Sequence, residues 1–275
     1  MRQLAKRISF GSAVMLFLLS GFPSWPSVSL AAMPFSGLIV FGASLSDNGN
    51  AGRFSNGPVW VETMAERMGL DLQPARSGGT NYAVGGARSQ GGFMDVLSQT
   101  AAFVSRQRVD PEALYIVFGG ANDLLASPCR ADHSSAARDA AAAIGTSTSQ
   151  LSAAGAVHIL VPNLPDIGRA PVVRAQGAYC ADTARALTRV YNAALGEVLD
   201  AVEARAQIRL RRLDAFSLAE QVFANPQKAG FHDVTTPCRG GDCEGMLFWD
   251  YLHPTTAAHS LLAQQALDVL GITTP

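Results

Sequence analysis

The order of apolar and amphipathic segments constrains the fold of this chain more than any other feature. Short, apolar and often β-branched runs alternate with longer amphipathic stretches from residue 37 onward, a pattern typical of a parallel sheet covered by helices. The strand candidates are residues 37–41, 114–118, 156–161 and 208–213, with a weaker fifth around 81–84. Helices are predicted near residues 58–68, 91–107, 133–154, 181–206, 214–224 and 255–270. The series predicts one doubly wound α/β domain, whose site lies outside the carboxyl ends of the strands.

The first residues of the chain have the pattern of an export signal. Arg2, Lys6 and Arg7 precede an apolar run at 8–22, and a Ser-Leu-Ala sequence at 29–31 offers a cleavage site. We therefore expect a signal peptide over residues 1–31 and a secreted or periplasmic domain over residues 32–275. An uncleaved anchor helix is the alternative, but the run is short for a membrane span and prolines follow it. No later stretch is long and apolar enough to cross a bilayer, so we expect no membrane span in the mature chain.

The charge balance argues against one broad class of partner. Lys and Arg number 21, Asp and Glu number 22, and the net charge is −1. Because the chain has no basic field to gather nucleic acid or anionic lipid, we expect no nucleic-acid partner.

The roughly 240 residues of the mature chain fit a single domain with a large core. A monomer is the expected state, although the sequence leaves the oligomeric state open.

Four cysteines in a chain that is expected to be exported indicate two disulfides rather than free thiols. They are Cys129, Cys180, Cys238 and Cys243, and they permit three pairings. We favour Cys238–Cys243 with Cys129–Cys180, because glycines between the last two cysteines allow that short segment to fold back on itself. A zinc site is the alternative, but no C-x-x-C spacing occurs and no histidine is suitably close.

A serine and a histidine near opposite ends of the predicted domain have the chemistry of a nucleophile and its base. Ser44 follows the first strand candidate at a predicted strand-to-helix turn, at the carboxyl edge of the sheet. The motif Asp-Tyr-Leu-His-Pro at 250–254 supplies His253, with the carboxylate of Asp250 three residues before it. Such a carboxylate can fix the imidazole tautomer so that the other ring nitrogen takes the serine proton. Taken singly, Ser44 and Asp250 are more typical of helix caps than of a catalytic site, and the G-x-S-x-G motif is missing.

Two further segments could donate hydrogen bonds to the oxyanion that forms during acyl transfer. Gly85 and Gly86 follow the weak strand candidate, where paired glycines let backbone N–H groups approach a ligand. Asn122 follows the strand candidate at 114–118 and offers a side-chain amide. Ordinary turn chemistry is the alternative for each segment taken alone.

Together, these segments resemble the conserved blocks of the GDSL/SGNH hydrolases in order and approximate spacing. The blocks are Phe-Gly-Ala-Ser-Leu-Ser-Asp-Asn-Gly-Asn at 41–50, Asn-Tyr-Ala-Val-Gly-Gly-Ala at 81–87, Phe-Gly-Gly-Ala-Asn-Asp at 118–123 and the motif at 250–254. The segments at 52–60 and 163–168 are similar to the branch shared by plant GDSL lipases and bacterial secreted lipases. The resemblance covers essentially the whole mature chain. It implies a three-layer α/β/α sandwich with a central parallel sheet, the flavodoxin-like fold of this family.

The resemblance also implies a role for each matching residue. Ser44 would be the nucleophile, His253 the general base and Asp250 its orienting partner. The implied oxyanion donors are the N–H of Ser44, the N–H of Gly86, with Gly85 as the alternative, and the side chain of Asn122. No metal or organic cofactor is implied, and the substrate would be an ester or a lipid.

One position of the nucleophile segment departs from the family pattern. The family name records Gly-Asp-Ser-Leu, whereas this chain has Ala43 before Ser44. Because the missing carboxylate is not a triad member, the expected function is still a secreted serine esterase or lipase that acts through an acyl-serine intermediate. A phospholipase, lysophospholipase or lipid acyltransferase of the same fold is the alternative. A non-catalytic secreted binding module is the alternative from a different class, and Ala43 is its only support.

Overall fold

A computed structural model of the protein describes residues 35–273. The predicted signal peptide over residues 1–31 lies outside the described residues. Within the part of the chain that the structure describes, no helix is long and apolar enough to cross a membrane.

Four parallel strands form the central sheet, in the order β1-β2-β3-β4. They are β1 Leu38–Gly42, β2 Leu114–Phe118, β3 His158–Pro162 and β4 Arg209–Leu213. Every residue of β1 and β2 is buried, since helices cover both faces of the sheet and residues 80–84 lie along the outer edge of β1. The arginines of β4 are exposed, because this strand lies at the edge of the sheet. The four strands confirm the predicted parallel α/β sheet.

The weaker fifth strand candidate around 81–84 runs parallel to β1 but does not form a regular strand. Tyr82 N donates to Val40 O at 2.7 Å, but the pairing is a single bridge between Val40 and Asn81. On its other side, the backbone of Asn81 is hydrogen-bonded to the loop at 73–75. Val40 N also donates to Thr80 O at 3.1 Å and Val84 N to Gly42 O at 3.0 Å, so the segment lies extended between β1 and this loop without being a regular strand.

Eight α-helices surround the sheet within residues 35–273. They are α1 Trp60–Arg67, α2 Val96–Arg106, α3 Ala121–Leu125, α4 Ser134–Ala153, α5 Pro171–Arg174, α6 Ala178–Glu203, α7 Ala215–Ala224 and α8 Thr256–Leu270. α1 packs against α8 in one layer, and α2, α4 and α6 pack together in the other. The helices and the sheet form a three-layer α/β/α sandwich, as predicted.

The alanine-rich sequence of α4 allows it to lie close to α6. Ala137, Ala140, Ala141 and Ile144 are buried, and a Cβ added at Gly145 would lie 3.0 Å from Val198 of α6. Small residues therefore line this helix-helix contact, because larger side chains would push the two helices apart. The alanine-rich composition of α4 resembles a low-complexity tract, but in the structure it allows close packing of α4 against α6.

A second, small sheet lies next to the C-terminal helix and was not predicted. Its strands are β5 Asp233–Pro237 and β6 Met246–Phe248. The buried side chains of Val222, Phe231, Leu247 and Phe248 form a separate hydrophobic cluster beneath it. β5 is rich in threonine, and β6 is apolar but only three residues long, so neither has a pattern long enough to predict a strand.

The structure contains the two disulfides Cys129–Cys180 and Cys238–Cys243, the pairing that the sequence favours. The first joins the segment after α3 to the start of α6. The second closes the connection between β5 and β6. No free cysteine is present among residues 35–273.

Candidate active site

Ser44 lies two residues beyond the end of β1, in a tight turn. The turn is held by hydrogen bonds from Ser46 N to Ala43 O at 2.9 Å and from Asp47 N to Ser44 O at 3.4 Å. The predicted strand-to-helix turn is wrong, because no helix begins until Trp60 and an irregular loop intervenes. The hydroxyl therefore sits at the carboxyl edge of the sheet without a helix N-terminus behind it.

The side chain of Gln99, on α2, fixes the end of β1 just before this turn. Gly42 N donates to Gln99 Oε1 at 2.8 Å, and Gln99 Nε2 donates to Gly42 O at 2.9 Å. Gly42 itself lies close to β2, since an added Cβ would be 2.6 Å from Phe118 O. The buried amide thus adds two hydrogen bonds to Gly42, whose carbonyl also accepts from Val84 N at 3.0 Å, and these bonds fix the point where the chain leaves the sheet.

The structure brings His253 and Asp250 together with Ser44, across more than 200 residues of sequence. His253 Nε2 is 3.0 Å from Ser44 Oγ, and His253 Nδ1 is 2.8 Å from Asp250 Oδ2. The second carboxylate oxygen, Oδ1, accepts from Leu252 N at 2.7 Å and from His253 N. One carboxylate therefore shapes the 250–253 turn and orients the imidazole that this turn carries.

The environment of Asp250 favours the charged carboxylate that orients the His253 ring. Burial acts to raise the pKa of this carboxyl, but the hydrogen bonds from the His253 ring, His253 N and Leu252 N outweigh it and lower the pKa below its usual value. A charged Asp250 favours the imidazole tautomer of His253 that carries its proton on Nδ1. The lone pair of Nε2 then faces Ser44 Oγ, which is the tautomer that a general base needs.

The aromatic ring of Phe54 packs against the imidazole and was not singled out by sequence reasoning. The ring centroids of Phe54 and His253 are 5.1 Å apart. A Cβ at Gly85 would lie 2.3 Å from the Phe54 ring, so the glycine at this position makes room for the aromatic side chain. Phe54 belongs to the 52–60 segment. The similarity of that segment to the family is the only feature of the sequence that could have pointed to Phe54 as part of the site.

The predicted oxyanion donors lie around the same edge of the sheet. Gly85 N donates to Asp47 Oδ2 at 2.7 Å, so its N–H already has a partner. Gly86 has a φ of +81°, and no backbone carbonyl of the described residues accepts from its N–H or from that of Ser44. Asn122 Nδ2 donates to Ala87 O at 2.7 Å, which fixes the amide and leaves its second hydrogen available. The geometry favours Gly86 over Gly85.

A buried carboxylate, Asp47, joins the loop that follows Ser44 to the segment that contains Gly85. Its oxygens accept from the backbone N–H groups of Gly49, Asn50, Ala51 and Gly85, at 2.7–3.0 Å. The side chain is completely buried. Asp47 belongs to the 41–50 block, but nothing in the sequence indicates its contact with Gly85, which is distant along the chain.

An apolar cavity of about 180 Å³ opens beside Ser44 and His253. It lies where the main core meets the small cluster beneath β6, and Ala43 is part of its wall. Among residues 35–273, no group of three or more His, Cys, Asp or Glu side chains is arranged to hold a metal ion.

Comparison with known proteins gives the family. A profile of GDSL-like lipases/acylhydrolases matches residues 38–266. The chain is 25% identical to the phosphatidylcholine-sterol acyltransferase of Aeromonas hydrophila, over 84% of this chain and 89% of that protein. It is 25% identical to Lipase 1 of Photorhabdus luminescens, over 90% of this chain but only 53% of that protein. A solved structure of a lipolytic G-D-S-L family member from Veillonella parvula superposes with a TM-score of 0.54 at 18% identity, over 86% of this chain and 98% of that one.

The structural likeness supports the three-layer fold, and the profile match runs from β1 into α8. The chain belongs to the GDSL-like lipase/acylhydrolase family, and it is a carboxylic ester hydrolase of the lipase and esterase type.

Proposed function

We propose that this protein cleaves esters of fatty acyl groups through an acyl-enzyme formed on Ser44, with His253 and Asp250 completing a catalytic triad. The observation that carries the proposal is the continuous hydrogen-bonded chain from Ser44 Oγ to His253 Nε2, at 3.0 Å, and from His253 Nδ1 to Asp250 Oδ2, at 2.8 Å. A nucleophile, a base and an orienting carboxylate in this order are what serine acyl transfer requires.

In the acylation step, Ser44 Oγ attacks the ester carbonyl carbon while His253 Nε2 takes the hydroxyl proton. The carbonyl electrons move to the oxygen, which becomes an oxyanion. The N–H groups of Ser44 and Gly86 and the amide of Asn122 are the proposed donors to it. When the tetrahedral intermediate collapses, the bond to the alcohol breaks, and the alcohol leaves with the proton from His253.

In the deacylation step, a water molecule takes the place of the alcohol. His253 Nε2 accepts a proton from this water as its oxygen attacks the acyl carbon. Collapse of the second intermediate breaks the bond to Ser44 Oγ, which regains the proton, and the carboxylic acid is released. Asp250 stays charged throughout and stabilises the imidazolium that forms in both steps.

Acyl esters are the proposed substrates because the cavity beside Ser44 is lined mainly by apolar side chains. The names of the relatives, a lipase and a sterol acyltransferase, point in the same direction. Export is part of the proposal and is supported by the two disulfides, since such bonds persist in oxidising compartments.

A serine-directed organophosphonate probe tests the proposed nucleophile. We expect the probe to label Ser44 of the purified protein, with loss of esterase activity in proportion to labelling. Ser46→Ala is the matched control, because Ser46 lies in the same turn but its hydroxyl accepts from Trp60 Nε1 at 3.0 Å and does not contact His253. Labelling of the Ser46 variant and absence of labelling in Ser44→Ala support the assignment. A folded protein that does not react, or that reacts at another serine, refutes it.

Acyl transfer to an alcohol is a second candidate, favoured by the similarity to the Aeromonas hydrophila acyltransferase. The same acyl-enzyme would then be attacked by an alcohol instead of water. Product analysis with a sterol or a long-chain alcohol present separates the two activities, since a transferase yields the new ester at the expense of the free acid.

A further inference from the structure

Five large apolar side chains are exposed among residues 35–273, and all of them lie at the edge of the sheet that carries Ser44. Single apolar residues are ordinary on a protein surface, whereas a group of them on one face indicates contact with another molecule or with a membrane. Three of the five are aromatic, and Phe93 is 92% exposed. We call this group the apolar rim, and it consists of Phe93, Met94, Val172, Tyr179 and Tyr251.

One side of the apolar rim adjoins the strand that leads to Ser44. Phe93 and Met94 lie in the loop before α2, which follows the segment parallel to β1 and so lies at the carboxyl edge of the sheet. Gln99 Nε2 donates to Met94 O at 2.7 Å, and the same amide is bonded to Gly42 at the end of β1. This side of the rim is therefore tied to the strand that positions the proposed nucleophile.

Local contacts hold the ring of Phe93 away from the body of the protein. The Asp95 carboxylate accepts from Gly92 N at 3.1 Å and from Ser98 N at 2.7 Å. Met94 has a φ of +53°, a left-handed conformation that residues other than glycine, asparagine and aspartate rarely adopt. Because these contacts fix the loop on both sides of Phe93, exposure of its ring is built into the fold.

The other side of the apolar rim adjoins the proposed base. Val172 of α5 and Tyr179 of α6 lie in the connection that leaves β3 at its carboxyl end. Tyr251 lies in the 250–253 turn, and its carbonyl oxygen accepts from Val172 N at 2.8 Å. The rim therefore has members beside both the nucleophile and the base of the proposed triad.

This position favours a lipid surface over a protein as the partner of the apolar rim. The apolar cavity beside Ser44 lies at the same edge, and its wall includes Leu252, which is next to Tyr251. A protein seated on the rim would cover the entrance to this cavity, whereas a bilayer would supply acyl esters through it. Aromatic side chains are also favoured at the boundary between lipid headgroups and acyl chains.

The charges near the apolar rim suit phospholipid headgroups. The guanidinium carbon of Arg239 lies 5.3 Å from the centre of the Tyr251 ring, and Arg174 lies two residues after Val172. Guanidinium groups bind phosphates, and their apolar stems can lie along buried surface while the charge stays in water. The net charge of the chain is −1, so general attraction to anionic lipid does not account for binding.

We propose that the apolar rim docks the face around Ser44 on a phospholipid bilayer, with the ring of Phe93 inserted among the lipids. Docking gives Ser44 access to acyl esters that stay within the bilayer, and in this respect it rests on the function proposed above. Since burial of apolar surface drives the contact, binding should not require anionic lipid and should depend only weakly on salt.

Flotation with phosphatidylcholine vesicles measures docking apart from catalysis. Ser44→Ala, which should leave the lipid intact, should float with the vesicles at low and at high salt. Phe93→Ser in this background should lower the partition coefficient by about tenfold, because one large aromatic side chain no longer enters the lipid. The matched control adds Gln107→Phe to that variant, which places an exposed phenylalanine after α2, at the opposite edge of the sheet. It should not restore binding.

Tryptophan fluorescence identifies the residues that enter the lipid. Phe93→Trp and Tyr179→Trp should each move the emission to shorter wavelengths when vesicles are added, relative to the protein without the added tryptophan. Gln107→Trp should show no such change. Absence of the change at Phe93→Trp or at Tyr179→Trp would contradict docking through both sides of the apolar rim.

The proposal is overturned if Ser44→Ala does not float, if flotation requires anionic lipid, or if Phe93→Ser leaves it unchanged. Recovery with Gln107→Phe would also overturn it, since any exposed phenylalanine would then suffice. A dimer that Phe93→Ser dissociates, without vesicle binding, would assign the apolar rim to a second copy of the chain.

Failure of the proposed function gives a different result. A protein that floats but cleaves no ester refutes that function and leaves the docking surface in place. A protein that cleaves soluble esters in a Ser44-dependent way but does not float refutes the docking alone.

Discussion

At the scale of single residues, Asp47 shows how one side chain can order two distant parts of a site. Its carboxylate accepts from N–H groups of the loop that follows Ser44 and from Gly85, next to the proposed donor Gly86. Carboxylates that accept several backbone N–H groups form strong, charge-assisted hydrogen bonds. The loop that follows the proposed nucleophile and the proposed oxyanion segment are therefore held in one geometry before a substrate arrives.

The amide of Asn122 offers a direct test of the oxyanion assignment. Asn122→Ala should lower kcat by about 10²–10³-fold with little change in KM, since the amide acts mainly on charge that develops in the transition state. Steady-state kinetics on a soluble ester measures both constants. An effect confined to KM would instead assign Asn122 to binding of the ground state.

Alanine at position 43, where the family pattern has aspartate, suits the apolar surroundings of this residue. Ala43 lines the apolar cavity, and Asp47 already orders the loop that follows Ser44. Ala43→Asp should therefore reduce kcat/KM for hexanoyl esters more than for acetyl esters, because the new carboxylate would lose solvation when a chain enters. Increased activity at every chain length, with a higher melting temperature, would show instead that order of the loop limits catalysis.

At the scale of elements, the Cys238–Cys243 disulfide connects the small sheet to the catalytic turn. Cys238 N donates to Phe248 O, and Arg239 N donates to Trp249 O, immediately before Asp250. Closing so short a loop contributes about 2 kcal/mol by chain entropy. The double variant Cys238→Ser/Cys243→Ser should lose activity at temperatures below its unfolding transition. Unchanged kinetics and an unchanged melting temperature would show that this loop does not support the catalytic turn.

The sequence predicted the elements whose signals are local. β1 to β3 are marked by apolar runs, β4 has buried leucines among exposed arginines, and the motifs around Ser44 and His253 indicate the candidate site by family resemblance. The missed features depend on contacts between distant segments. The small sheet rests on pairing of β5 with β6 and on burial against α7, and the link from Asp47 to Gly85 cannot be read from either segment alone.

At the scale of the whole molecule, the site lies where the two hydrophobic clusters meet. The sheet and α3 position Ser44 and Asn122, whereas the small sheet and the start of α8 position Asp250 and His253. The active site therefore depends on the docking of the C-terminal elements against the main core. Small shifts between the two clusters should alter the distance between Ser44 and His253 before they unfold the domain.

Burial of His259 makes the stability of the whole fold depend on pH. The pKa of His259 is about 3 in the folded protein and about 6.5 when unfolded, so the unfolded chain binds more protons between these values. The free energy of unfolding should fall by up to about 1.4 kcal/mol per pH unit as the pH decreases from 6.5 toward 3. Denaturant titrations across this range should show a weaker dependence in His259→Phe, and an identical dependence would contradict this account.

The central claim is that Ser44 and His253 act as one catalytic unit, and the kinetics of Ser44→Ala, His253→Ala and the double variant test it most directly. Each single variant should retain at most a few per cent of the wild-type kcat while melting at a similar temperature. The double variant should be about as inactive as either single one, because members of a triad lose their function together. If either single variant keeps substantial activity, or if the two losses multiply in the double variant, the account is wrong.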